Sequence, residues 1–314
     1  MTGGKLAHDV QSDLSRRKLI DAIFVIVGMV ALLVATIVLL TLITSLAVRG
    51  VPRATLNFPE FFFTFASRRP TAAGIYAAWV GSALVMVVTA CTAVPLGVAA
   101  GIYLEEYARK NWVSDLIEIN VTNLAGVPSI IYGLLALGVL NQGLKLGESI
   151  LTAGITLALL ILPVVIVTTR EALRAIPLSL REAAYAVGAT KWRMIWDHIL
   201  PYATGSILTG VIIGLSRAIG ETAPLITIGA LTFIAFLPVN TESLPAFISS
   251  FLSFAWLKEP FTVMPIQMFN WVSRPEPAFQ DNAAAAGIVL LLMTLAMNGV
   301  AIYLRYRFRK GIKW

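Results

Sequence analysis

The chain of 314 residues has few of the side chains from which most enzyme sites are built. Cys91 is its only cysteine, which excludes an intrachain disulfide and a cysteine redox pair. Two histidines leave no cluster of metal ligands and no nucleophile–base pair. The GxxxxGK[ST] phosphate loop is absent, as are the HExxH and GxSxG motifs. The sequence therefore predicts a chain that is not an enzyme, has no cofactor and does not itself hydrolyse ATP.

Charged residues are scarce as well. They make up 13% of the chain, against about a quarter in soluble domains, while 58% of the residues are hydrophobic and the mean hydropathy is +0.82. Apolar runs longer than about 18 residues can cross the hydrocarbon core of a membrane as helices. The clearest runs are 23–48, 74–103, 150–168, the stretch from 205 onward and 283–304. With a shorter span at 126–140, the sequence predicts an all-α membrane protein of about six transmembrane helices.

The 24 lysines and arginines are distributed unevenly around these spans. With both termini in the cytoplasm, 16 of them fall in cytoplasmic segments and seven in external ones, and Arg217 lies inside a span. This excess is the positive-inside pattern of a protein in the plasma, or cell inner, membrane. The basic ends would contact anionic lipid heads of the bilayer, and no basic patch with interleaved aromatic residues indicates nucleic-acid binding.

The spans divide the chain into four segments. We expect a cytoplasmic tail at 1–18, a first transmembrane helix with an external segment at 19–73, a core at 74–304 and a basic cytoplasmic tail at 305–314. Proline should interrupt the fifth span, because it lacks the N–H group and clashes with the preceding turn.

Three details of the core follow from the same pattern. The fifth span should begin near Pro201, run through Ile219 and be interrupted or bent at Pro224, with the apolar run 225–237 continuing it outward. The external segment 238–281 contains an apolar stretch, 247–257, that is too short to span the membrane. We expect this stretch to be interfacial or re-entrant.

A long polar loop, residues 170–203, separates the fourth and fifth spans. Ala183 and Ala184 would offer a smooth helix surface that another protein can approach, Glu182 places a charge near a helix start, and Gly188 permits a sharp turn. Loops of this length usually have a function. The residues alone leave two interpretations open: docking against a cytoplasmic partner, and a surface helix lying on the membrane.

The loop resembles the EAA motif of ABC importer permeases. The motif consists of Glu-Ala-Ala, a glycine after three residues and, after nine more, Ile-x-Leu-Pro. The matching positions are Glu182, Ala183, Ala184, Gly188, Leu200 and Pro201. His198 occupies the isoleucine position, and Ile199 is shifted by one. The resemblance implies a type I importer permease fold in which this loop contains the coupling helix that docks on the ATPase subunit.

A second motif, residues 216–224, lies within the fifth span. Arg217 is about 14 residues past the expected helix start, roughly 20 Å along the axis. A charge at that depth costs about 2.5–3.5 kcal/mol and usually marks a substrate path. At 100° per residue, Gly210, Gly214, Arg217 and Glu221 share one face, so both charges should face protein or water. The alternative is an ion pair that only stabilises the helix.

This motif resembles that of the phosphate-transport permeases of ABC importers, as do residues 126–133, 269–271 and 285–303. The resemblance implies a substrate pathway that includes Ser216, Arg217, Gly220, Glu221 and Thr222. It also implies an assembly with a homologous permease, two ATPase subunits that bind ATP and Mg²⁺, and an external phosphate-binding protein.

Other functions remain open. Sulfate and molybdate permeases share part of the motif, although the continuation Thr222-Ala223-Pro224 favours phosphate. A passive anion channel gated by Arg217 would have no need of an ATPase-docking loop. An intramembrane enzyme using Glu221 as acid or base would lack a second catalytic group.

Overall fold

The computed structural model describes residues 3–109, 111–230, 233–239 and 243–309, and of the first and last helices it describes side chains only from Arg16 to Arg307. This part of the chain contains helices and no strand. The helices are α1 Gly3–Leu56, α2 Glu60–Phe63, α3 Tyr76–Ile102, α4 Trp112–Leu124, α5 Ser129–Ala136, α6 Ile150–Arg174, α7 Leu178–Ala186, α8 Lys191–Arg193, α9 Leu200–Ile219, α10 Ala223–Thr227, α11 Leu244–Leu252, α12 Met264–Val272 and α13 Pro277–Arg309. Three wider π turns extend or join them, namely Tyr103–Tyr107 after α3, Leu137–Gly143 after α5 and Met194–Ile199 between α8 and α9.

Within the described residues, five helical segments are long and apolar enough to cross a membrane. They are α1 from Arg16, α3 with its π turn, α6, the continuous segment Lys191–Ile219, and α13. A sixth span exists if α4 and α5 count as one, although these two helices meet at 105°. The predicted all-α architecture of about six membrane helices is confirmed.

The predicted third span, 126–140, corresponds to α5 and its π turn, and the chain bends just before it, at Pro128. A proline disfavours the helical conformation in the residue before it, and Pro128 precedes the first residue of α5 with an extended ψ of 135°. The Tyr132 hydroxyl donates a 2.8 Å hydrogen bond to the Leu124 carbonyl, which ties α5 back to the end of α4.

The core is built around α6, which packs between α3 and α9, while α13 packs on α9 and α12. Small residues allow membrane helices to approach closely. A Cβ on Gly154 would collide with Val88 of α3, and one on Gly210 would collide with Thr168 of α6. The core around α6 is therefore held by close van der Waals contact.

The first helix contacts the rest of the chain mainly through α13 and is otherwise exposed over its apolar length, as expected of a helix that faces lipid or another subunit. It begins at Gly3, within the expected tail 1–18, and ends at Leu56, within the expected external segment. The cytoplasmic tail expected at 305–314 falls partly outside the described residues, and the last residues of that tail, 310–314, are among those not described.

The fifth span begins and ends close to the residues that the sequence predicts. α9 stops at Ile219 and Gly220 caps it, so the helix breaks before Pro224, which lies in the first turn of α10 where a missing N–H is tolerated. The expected continuation over 225–237 is wrong, because α10 ends at Thr227 and Gly229 then turns the chain with a φ of +91°. The stretch 247–257 forms α11 and a 3₁₀ turn, both too short to span.

Candidate translocation and coupling sites

Arg217 lies in the last turn of α9 and forms an ion pair with Glu221 across the helix break. Its Nε atom is 3.3 Å from Oε1 of Glu221, and the two side chains are 43% and 20% exposed. A cation in the last turn is favoured by the helix dipole. Because the helix ends at Ile219, Glu221 is outside it, and the pair bridges the break instead of reinforcing a helical turn.

The expected common face of Gly210, Gly214, Arg217 and Glu221 is only partly present. The two glycines are buried against α6, whereas Arg217 is exposed. Arg217 thus points away from the helix packing and is accessible from outside the chain.

Helix α5 packs against the break. A Cβ on Gly133 would lie 2.7 Å from both the Cα and the carbonyl oxygen of Pro224 in α10, so only glycine fits this contact. Arg217 is also near enough to Tyr132 of α5 for the two groups to interact electrostatically. Two interrupted helices, α4–α5 and α9–α10, therefore meet beside Arg217. Interrupted helices that meet within a membrane are a common setting for transport sites.

The other residues predicted for the pathway have different surroundings. Gly220 is exposed, and the Thr222 carbonyl accepts hydrogen bonds from the Leu225 and Ile226 amides in the first turn of α10. The Ser216 hydroxyl lies 2.7 Å from Oδ1 of Asn298 and faces α13. Sequence reasoning did not single out Asn298, although an amide inside an apolar span was a signal for such a polar contact.

The close contact at Gly133 can be tested directly. We expect Gly133→Ala to force α5 and α10 apart and to destabilise the protein by about 1–3 kcal/mol, the usual range for overpacking. Thermal unfolding of the purified protein in detergent measures this effect. Gly138→Ala is the matched control, because Gly138 lies in the same segment and has open space around its Cα. Equal unfolding temperatures for the two variants would contradict the contact.

The predicted coupling segment forms α7 and a glycine turn. The Gly188 amide donates to the Tyr185 carbonyl at 2.9 Å, and the Ala189 amide donates to the Ala184 carbonyl at 3.0 Å. These two bonds with a left-handed glycine, φ +82°, form a Schellman motif. The predicted sharp turn at Gly188 is confirmed.

The faces of α7 differ from the expected smooth surface. Glu182 and Ala183 are exposed, but Ala184 is only 5% exposed and belongs to the core, where α7 packs against the π turn Met194–Ile199. Ala183 borders a cavity of about 780 Å³ that Tyr202 and Arg305 also line. Only Glu182 and Ala183 of the Glu-Ala-Ala triplet are thus available to a partner.

Leu200 and Pro201 begin α9 and are half-buried, so they connect the segment to the bundle. A wide π turn, Met194–Ile199, precedes them and contains His198, which occupies the isoleucine position of the motif. That turn places Ile199 in the core with no exposure, while His198 is half-buried.

A cluster of six charged side chains lies beside α7. Its members, which sequence reasoning did not pair, are Glu105, Glu106, Glu118, Arg170, Arg174 and Arg181. All six lie in 104–125 or 170–203, two segments that the order of the spans places on the same side of the membrane. The sequence signal for this cluster was therefore the presence of opposite charges in segments that lie on one side of the membrane.

The inner part of the cluster joins α4 to α6 and to the end of α3. Nη2 of Arg170 is 2.7 Å from Oε2 of Glu118, and Nε of Arg174 is 2.8 Å from Oε2 of Glu105. Arg170 is buried, so removing its partner Glu118 would leave a poorly compensated charge in the interior, which is strongly destabilising. Among the described residues, no group of three or more His, Cys, Asp or Glu residues could hold a metal ion.

The chain is similar to several known proteins. The phosphate transport system permease protein PstA of Yersinia pestis is 32% identical over 284 residues, covering 90% of this chain and 88% of the relative. The Mycobacterium leprae protein of the same name is 35% identical over 285 residues, again covering 90% and 88%. An inward-facing structure of the MetNI methionine ABC transporter aligns with a TM-score of 0.49 at 13% identity, covering 74% of this chain and 94% of that one.

The family described as "Binding-protein-dependent transport system inner membrane component" matches residues 93–313, which include α7, the helix break and most of the core. This match and the relatives confirm the predicted importer-permease fold and a multi-pass location in the inner membrane. The chain belongs to the binding-protein-dependent transport system inner membrane component family.

Proposed function

We propose that the chain is a permease subunit of an ATP-driven phosphate importer and that Arg217 contacts the anion in the translocation path. The observation that carries the proposal is the accessible Arg217–Glu221 pair at the point where two interrupted helices meet. The substrate class is supported by the two phosphate permeases that are 32% and 35% identical over 90% of the chain.

The chemistry of the site suits a phosphate ion. An anion that enters a passage of low dielectric needs a compensating cation. The arginine guanidinium stays charged when partly buried, and its planar fork matches the geometry of an oxyanion. Glu221 at 3.3 Å holds the guanidinium and reduces its net attraction, so the anion can leave as well as enter.

The energy for transport would come from other subunits. In this proposal the exposed Glu182 and Ala183 of α7 dock on an ATPase subunit, two copies of which hold ATP and Mg²⁺. A homologous permease completes the pathway, and an external binding protein delivers phosphate. The family description itself names dependence on a binding protein. Gly188 supports the docking role by ending α7 sharply, so that the helix remains a short separate element.

Energy coupling is testable with the complete transporter in proteoliposomes. We expect an ATPase to co-purify with the chain and labelled phosphate uptake to require ATP. Uptake that proceeds equally without ATP would identify a passive anion channel instead.

The orientation predicted from charge can be tested with single cysteines. In a Cys91→Ala background, we expect Ser179→Cys to react from the cytoplasmic side and Ser273→Cys from outside, because both residues are exposed and lie in segments assigned to opposite sides. The measurement is labelling of intact cells with an impermeant thiol reagent, with permeabilised cells as control. Labelling of both cysteines in intact cells would contradict the orientation.

A further inference from the structure

One arginine attaches α7 to the helix bundle. Nη2 of Arg181 is 2.9 Å from Oε1 of Glu106, and its Nε is 3.3 Å from the same oxygen. The guanidinium also donates to the carbonyls of Ile176 at 2.8 Å and Leu173 at 2.9 Å. The side chains of Arg181 and Glu106 are 16% and 8% exposed. A single half-buried side chain thus joins α7, the π turn after α3 and the end of α6.

The chemistry of this contact favours arginine over lysine. The last carbonyls of a helix, among them that of Leu173 in α6, lack partners within the helix and accept hydrogen bonds from donors elsewhere. The five N–H groups of a guanidinium can satisfy two carbonyls and a carboxylate together, which the compact ammonium of lysine does less well. Arg181 immediately precedes Glu182, so the attachment lies at the residue next to the proposed docking surface.

The contacts continue from this attachment toward Arg217. Glu105, next to Glu106, binds Arg174 of α6, and Arg170 of α6 binds Glu118 of α4. Helix α4 is tied to α5 by the Tyr132 hydrogen bond, and α5 packs against α10. Every step is a hydrogen bond, an ion pair or a packed contact.

From this arrangement we infer that Arg181 is a positioning residue that holds α7 rigidly against α3 and α6, so that displacement of α7 by the ATPase moves the helices around Arg217. The inference rests on the proposed function. It assigns Arg181 a role in transmitting motion that is separate from docking, because its guanidinium faces the bundle and not the exposed side of α7.

The test is Arg181→Ala in the complete transporter reconstituted in proteoliposomes. We expect the ATPase to co-purify at the native level and ATP hydrolysis to continue, while phosphate transported per ATP hydrolysed falls by about tenfold, a typical loss of coupling between sites. Arg193→Ala is the matched control, since Arg193 is an exposed cation of the same loop whose side chain forms no ion pair with the described residues. The control variant should transport as much phosphate per ATP hydrolysed as the unaltered transporter.

Two further variants distinguish loss of the Arg181–Glu106 contact from a general folding defect. Arg181→Lys should restore little of the native ratio of phosphate transported to ATP hydrolysed. Arg181→Cys with Glu106→Cys in a Cys91→Ala background should be uncoupled until a short cleavable thiol crosslinker joins the two positions, and uncoupled again after cleavage.

The outcomes distinguish this inference from the proposed function. A native transport ratio in Arg181→Ala, or loss of the ATPase from that variant alone, would overturn the inference while leaving the proposed function standing. Absence of ATP-dependent uptake from the unaltered transporter would overturn the proposed function, and the inference with it.

Discussion

Replacing Arg217 with glutamine is expected to reduce ATP-dependent phosphate uptake by about a hundredfold while the transporter still assembles. Hydrogen bonds to a charged group contribute about 1.5–3 kcal/mol each, and a guanidinium can form two to one phosphate. Because Arg217 is 43% exposed, solvent screening favours the lower end, about 3 kcal/mol or roughly a hundredfold. Uptake of labelled phosphate into proteoliposomes measures the effect.

Two further variants at the same site define the role of each charge. Arg217→Lys keeps the charge but loses the planar fork, so we expect it to recover little uptake. Glu221→Gln should impair uptake less than Arg217→Gln, because Glu221 is proposed only to hold the arginine. Co-purification of the ATPase with each variant is the assembly control.

The assembly control decides between substrate contact and a structural ion pair. If Arg217→Gln prevents assembly, the Arg217–Glu221 ion pair has a structural role and stabilises the helix break. If the assembled variant transports at the native rate, Arg217 has neither role.

Disrupting the docking surface of α7 is the second change from which we expect a large effect. Glu182→Lys reverses a charge on the exposed side of the helix, and Gly188→Trp adds a bulky ring at the turn that ends it. We expect both variants to reach the membrane and to lose at least about tenfold of their uptake, as a reversed charge and a steric block weaken the ATPase contact. Membrane insertion, ATPase co-purification and uptake are measured together.

Backbone strain at Gly188 needs a control of its own, because a side chain in the left-handed region costs about 1–2 kcal/mol whatever it contacts. Gly147 provides one. It has a φ of +70°, lies in open space and belongs to the loop between α5 and α6. Gly147→Trp should therefore retain uptake. Equal losses in the two tryptophan variants would show that strain, and not docking, explains the Gly188 result.

The membrane helices could be predicted from hydropathy because a helix that crosses lipid must satisfy its backbone groups internally and be apolar over its length. The turn at Gly188 could also be predicted, since it depends on local backbone preferences. The course of the chain after α9 could not, because the expected continuation over 225–237 is wrong. That course involves packing of α10 against Gly133, which is far away in the chain.

The ion pairs within the charged cluster could not be predicted for a similar reason. Arg170 and Glu118 are 52 residues apart in sequence, and Arg181 and Glu106 are 75 apart. Charge alone does not say which carboxylate each arginine will meet. Ala184 was assigned to the surface because its small size suited docking, whereas α7 packs against the π turn after α8 and buries Ala184 in the core.

The central claim, that this permease imports phosphate, is tested most directly by competition. The complete transporter in proteoliposomes, supplied with ATP and the binding protein, takes up labelled phosphate in the presence of excess unlabelled phosphate, sulfate or molybdate. The account predicts uptake that only unlabelled phosphate suppresses. Suppression by sulfate or molybdate at equal concentration, or uptake of those anions in place of phosphate, would contradict it.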